Sequence, residues 1–175
     1  EIYPLAPLQE GILYHYLTAG QGDPYLLQWR LAFDSPERLH AWAGALQKVI
    51  DRHDILRTSI VWEGLENPLQ VVWRHAELAV QAISIEAGAT DMPTIERLQQ
   101  RFDARHHRLD LAQAPLMRLV HADDPSSGEV TAILLFHHLV LDNTAMELVS
   151  REMQALLFDQ PDALTTPVPY RNYVA

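Results

Sequence analysis

A mixed α/β fold, in the α+β sense of helices packed on a mostly antiparallel or mixed sheet, is predicted by two observations. Segments with helical spacing of apolar residues are interspersed with short apolar runs of strand length, in no regular strand-helix-strand order. Two of those runs, Pro115 to His121 and Val130 to Phe136, flank an Asp-Asp-Pro-Ser-Ser-Gly loop and so read as a hairpin. A doubly wound parallel sheet fits this order less well, and the chain carries no internal repeat, Gly-rich phosphate loop or low-complexity linker.

Taken in order, Leu8, Ile12, Leu13, Tyr16 and Leu17 lie on one helical face and predict a first helix ended by Gly20 and Gly22. Tyr25 to Phe33, after a Gly-Asp-Pro turn, reads as a strand. Ser35-Pro36-Glu37 is a helix start, with Leu39, Trp42, Leu46, Val49 and Ile50 behind it, and that helix should run to Arg52. Leu56 to Trp62 and Leu69 to Trp73 read as strands around a turn, with Leu78 to Ile85 as a third. Thr94 to His107 has helical spacing, the hairpin follows, and Thr144 to Phe158 closes the series as a helix with Met146, Val149, Met153, Leu156 and Leu157 inside.

Composition narrows the function. With 175 residues, 48% of them hydrophobic and 21% charged, the chain can bury one sizeable core. A net charge of -10 argues against nucleic acid or an anionic membrane as the main partner, since both attract basic surfaces. The absence of cysteine excludes disulfides, thiolate zinc sites and a cysteine nucleophile, so any thioester chemistry uses a thiol from elsewhere. No apolar stretch approaches the roughly 20 residues of a membrane span, and Glu1-Ile2-Tyr3-Pro4 is unlike the basic start of a secretory signal. A cytoplasmic protein is expected, and an opening without methionine suggests a piece of a longer polypeptide.

The residues most suited to chemistry are His137 and His138, followed by Asp142, at the exit of the apolar run Val130 to Phe136. Histidine accepts and returns a proton near neutrality. Strand alternation sends the two rings in different directions, so only one should face a cleft while the other is packed or hydrogen-bonded. The other histidines, at positions 40, 53, 75, 106, 107 and 121, make no convincing metal set, and no serine sits in a G-x-S-x-G elbow. The Arg101 to Arg108 cluster reads most simply as a solvated helix face, and contact with a phosphate group is a second reading.

Phe136-His137-His138-Leu139-Val140-Leu141-Asp142-Asn143 closely resembles the HHxxxDG motif of the condensation domains of nonribosomal peptide synthetases, with Asn143 in place of glycine. Three further elements follow the family's order: Tyr3-Pro4-Leu5-Ala6-Pro7-Leu8-Gln9-Glu10-Gly11, then Arg52-His53-Asp54-Ile55-Leu56-Arg57-Thr58, then Arg108-Leu109-Asp110-Leu111 with Pro115-Leu116-Met117-Arg118. The resemblance covers essentially the whole chain. It implies a chloramphenicol-acetyltransferase-like lobe, with residues 1–175 forming the N-terminal lobe of a two-lobed condensation domain whose C-terminal lobe is absent from this chain.

By this resemblance, His138 matches the histidine that positions or deprotonates the acceptor amine, and His137 matches the more structural first histidine. Asp142 matches a structural aspartate paired with the arginine at Arg57; loss of one member of a buried pair costs about 3–5 kcal/mol. Asn143 is read either as an altered substrate-facing position, where it can take a left-handed conformation, or as a cap on the following helix. His15-Tyr16-Leu17-Thr18-Ala19-Gly20-Gln21-Gly22-Asp23 fits the HH(I/L)xxxxGD spacing of dual epimerization/condensation domains, with Tyr16 replacing the second histidine. His15 is then an accessory proton-handling or structural group, although a lone histidine on an amphipathic helix is commonly just packed or solvated.

The implied reaction is amide formation between substrates tethered to upstream and downstream peptidyl carrier domains by 4'-phosphopantetheine arms, so the chain itself binds no cofactor and no metal. The implied partners are those carriers, the C-terminal lobe and an adjacent adenylation domain; the implied setting is the bacterial cytoplasm and antibiotic biosynthesis. A D-donor-specific condensation domain without epimerase activity, a free-standing CoA-dependent acyltransferase and an inactive recruiting domain remain as alternatives.

Overall fold

The computed structural model describes residues 1–85 and 92–174. Its centre is a four-stranded sheet in the order β2-β7-β6-β5, built from β2 (Leu26–Phe33), β5 (Ala79–Ala82), β6 (Met117–Asp123) and β7 (Val130–His137). β7 pairs antiparallel with both β2 and β6, and β5 adds to β6 in parallel. A second sheet of three antiparallel strands, β1-β4-β3, comprises β1 (Ile2–Pro4), β3 (Thr58–Val61) and β4 (Leu69–Val72). The helices are α1 (Pro7–Thr18), α2 (Pro36–Arg52), α3 (Thr94–Arg101) and α4 (Asn143–Leu157).

All eight residues of β7 are buried because both of its faces are covered. Ala132, Leu134 and Phe136 join the larger core under α1, α2 and α4, whereas Ile133 and Leu135 face a smaller core with Leu98 and Phe102. The period of two thus divides one apolar run between two cores. Leu134 is fully buried, so Leu134→Ala should cost about 2–5 kcal/mol.

The mixed architecture and hairpin agree with expectation, and α2 begins and ends where the sequence places it. Ser35 accepts the Arg38 N–H at 3.3 Å and Pro36 supplies the first turn. Three elements differ. The strand expected from Leu56 starts at Thr58, because Asp54–Arg57 forms a 3-10 turn in which Asp54 Oδ1 accepts the Ile55 N–H. The helix expected through His107 stops at Arg101, where Asp103 Oδ1 takes the Arg105 N–H at 2.8 Å and turns the chain. The third strand of the central stretch leaves the β3-β4 pair and joins β6 in the other sheet. β1 was not expected: it is three residues long, contains proline and exists through pairing with distant β4. Among the described residues no helix is long and apolar enough to cross a membrane.

Candidate active site

The strand β7 delivers the two histidines to opposite environments. His137, its last residue, is completely buried, while His138 is half-buried and lines a cleft of about 310 Å³ with Pro7, Leu8, Gly11, Ile12, His15 and Tyr25. The alternation expected from the sequence is present.

Hydrogen bonding sets both tautomers. The Leu139 N–H donates to His137 Nδ1 at 3.1 Å, so that nitrogen is unprotonated and the ring proton sits on Nε2. His138 is the reverse: its Nδ1 lies 3.1 Å from the Leu141 carbonyl oxygen, which can only accept, so Nδ1 carries a proton and, in the neutral ring, Nε2 keeps its lone pair. The 138 backbone is fixed as well, its N–H donating to the Tyr25 carbonyl at 3.0 Å. The Tyr25 ring stacks on His138 with centroids 6.5 Å apart and planes 14° from parallel. A neutral imidazole with one nitrogen committed and the other without a hydrogen-bond partner among the described residues can accept a proton from a group bound in the cleft.

His15 projects from α1 onto the same cleft, its ring 6.1 Å from that of Tyr25, so Tyr25 neighbours both imidazoles. Tyr16 faces the other way. Its ring meets His137 edge-on at 6.2 Å, the Arg108 guanidinium lies 3.8 Å over it, and its hydroxyl donates to the Leu109 carbonyl. Burial pushes the Tyr16 phenol up, with Arg108 pulling it back. The exchange of histidine for tyrosine at position 16 therefore falls on the buried face, away from the cleft.

Asp142 and Arg57 are not brought together. Asp142 accepts the Ala145 N–H at 2.7 Å and caps α4, while the Arg57 guanidinium donates to the Trp73 carbonyl and no ion pair joins the two among the described residues. The expected pair is corrected: the free N–H groups at the helix start take the carboxylate, and the turn before β3 carries Arg57 toward Trp73. Asn143 is not the cap either. It is the first, exposed residue of α4, and among the described non-glycine residues only Asp159 has positive φ, so the left-handed conformation available to asparagine is not used.

Three contributors escaped sequence reasoning. Gln9 is buried on α1; its Oε1 accepts the Ala6 N–H, and its amide donates to the Leu139 carbonyl in the histidine turn and to Gln70 on β4. Glu152 on α4 receives both Arg52 Nε at 3.1 Å and His53 Nε2 at 2.9 Å on one oxygen. Its signal was legible, a carboxylate on the Val149-Met153-Leu156 stripe. Asp23 lies 3.0 Å from His137 with both side chains fully buried. A larger cleft of about 610 Å³, lined in part by Arg52, Arg57, Trp73, Arg74 and Arg171, does not include either cleft-facing histidine. Among the described residues no group of three or more His, Asp or Glu side chains is placed to hold a metal ion.

The condensation-domain family model matches residues 1–175. Malpibaldin synthetase of the fungus Mortierella alpina is 43% identical over the whole chain, and tyrocidine synthase 3 of Brevibacillus parabrevis is 26% identical over 99% of it. The chain spans about 3% of the length of each. With fungal and bacterial relatives both present, the bacterial origin expected from the motifs does not follow from them. The first condensation domain of the CDA synthetase superposes with a TM-score of 0.69 at 16% identity, covering 96% of this chain and 42% of that one. SgcC5 of Streptomyces globisporus gives 0.67 at 21%, covering 98% and 41%. These likenesses establish the chloramphenicol-acetyltransferase-like fold, and the match along all 175 residues places the chain in the condensation-domain family of nonribosomal peptide synthetases.

Proposed function

We propose that the chain is the N-terminal lobe of a condensation domain that forms an amide between two carrier-tethered substrates. The observation that carries this reading is the free Nε2 of His138 on the cleft, with Nδ1 committed to Leu141. The acceptor amine attacks the donor thioester carbonyl, the C–N bond forms and the C–S bond breaks. The amine proton passes to His138 Nε2 and from there to the departing thiolate. A general base of this kind contributes on the order of 10²–10⁴-fold, and alignment of the two substrates adds to it. The thiols belong to 4'-phosphopantetheine arms on upstream and downstream carriers. Coverage of about two fifths of each solved structure named above supports the lobe assignment, so residues 1–175 alone should be catalytically silent.

The finer reading is dual epimerization and condensation, and it draws on His15. The cleft is lined by a second imidazole, that of His15, as well as by His138, so two groups of suitable chemistry border the space where a donor α-carbon would exchange its proton. The complete domain, given an L- or a D-configured carrier-bound donor in parallel and an acceptor in deuterated buffer, tests both levels. Deuterium at the donor α-carbon in a D-configured product, abolished in His138→Ala, supports the dual reading. Product from a D donor only, without exchange, reduces it to D-specific condensation. No product from either donor defeats the amide-forming reading and favours a recruiting role.

A further inference from the structure

Gly22 and Asp23 enter the core at a point the fold tightly constrains. Gly22 has φ of +68°, and a Cβ there would lie 2.3 Å from the Ala104 carbonyl oxygen, so a side chain is refused on both counts. The Asp23 N–H donates to that same Ala104 oxygen at 2.7 Å, and the Asp23 carbonyl accepts the Leu26 N–H. Held in this way, the fully buried carboxylate divides its two oxygens. Oδ1 accepts the Tyr25 N–H at 3.0 Å, and Oδ2 lies 3.0 Å from His137 Nε2. That second approach is close but bent from hydrogen-bond alignment, and neither atom has another hydrogen-bond partner among the described residues.

We propose that Asp23 is a positioning residue for His138, acting through two arms. Through Oδ2 it faces the protonated Nε2 of His137, which keeps Nδ1 open for the Leu139 N–H and so holds the turn that presents the Leu141 carbonyl to His138 Nδ1. Through Oδ1 it holds Tyr25, whose carbonyl accepts the His138 N–H and whose ring stacks on the His138 imidazole. The free nitrogen of His138 is thus aimed by a carboxylate that never reaches the cleft. A buried carboxylate that lacked these contacts would be strongly disfavoured. The inference rests on the reading of His138 as proton acceptor.

The test uses the complete domain with ¹⁵N-labelled histidine, reading ring tautomers by NMR and single-turnover condensation with carrier-bound substrates. Asp23→Ala should lower the rate on the order of 10–100-fold, leave the acceptor KM unchanged and convert His138 from the Nδ1–H form to a mixture. Asp23→Asn offers one oxygen where two are used and should fall between Asp23→Ala and the unaltered enzyme in both readouts. A folded Asp23→Ala protein with unaltered rate and unaltered His138 tautomer overturns the proposal. If Asp23→Ala does not fold, Asp23→Asn decides on the same criteria. His138→Ala is run alongside: full activity there would remove the proton-acceptor reading itself, whatever Asp23 does.

Discussion

The segment Arg52–Arg57 and the turn His137–Asp142 are both dense in charged and titratable side chains, yet they use them in opposite ways. In the first, nearly every polar group is spent on another part of the fold. Arg52 and His53 share Glu152 on α4, Arg52 also donates to the Thr165 carbonyl, and Asp54 accepts the Tyr170 N–H. In the second, the contacts orient the chain but leave His138 Nε2 without a partner among the described residues, on a cleft. Motifs of equal prominence thus do different work: one braces α4 against α2 and the C-terminal segment, the other holds a single nitrogen ready.

The largest expected effect separates the two regions directly. His138→Ala should lower condensation by the complete domain on the order of 10²–10⁴-fold with little change in thermal unfolding, since the half-buried ring closes no core. Glu152→Ala should do the reverse: leaving Arg52 and His53 without their carboxylate costs about 1–3 kcal/mol, read by urea unfolding, while the folded fraction keeps its turnover. Equal loss of rate per folded molecule in both variants would erase the distinction between brace and site.

A third effect concerns pH. Burial holds His107 and His121 below the ordinary value of 6.5, so both favour the neutral form when folded. The unfolded chain binds more protons below pH 6.5, so stability is fully present above that pH and falls as acidification proceeds toward their folded values. His121→Gln should flatten the loss measured by unfolding between pH 7 and 5.

The smallest effect probes the cleft wall. Gly11 sits inside α1 beside the His138 cleft, and a Cβ there would meet nothing within 4 Å, so neither packing nor a positive φ calls for glycine. Gly11→Ala should stabilise the fold by about 0.5–1 kcal/mol. Gly11→Leu should keep the fold but raise the KM for carrier-bound substrate, which a plain helix-surface position would not do.

Local chemistry was legible in the sequence where it is local in the structure. Ser35 and Pro36 announce the start of α2, and the alternation at the end of β7 separates His137 from His138. What escaped is pairing at a distance. β1 takes its identity from β4, β5 changes sheets to meet β6, and Asp23 was visible only as part of a spacing because its partner His137 comes from the far end of the hairpin. The Asp142–Arg57 pair failed for the converse reason: the Ala145 N–H in the first turn of α4, three residues on, is taken by Asp142 locally.

Under the proposed function there is a division of labour between the two adjacent histidines, one aiming and the other reacting. It is tested most directly by the pH dependence of single-turnover condensation in the complete domain, compared among the unaltered enzyme, His137→Asn and His138→Ala. His137→Asn should slow the reaction but keep the ionisation of the unaltered enzyme, while His138→Ala should lose both the rate and that ionisation. Retention of the ionisation in His138→Ala, or its disappearance in His137→Asn alone, would contradict it.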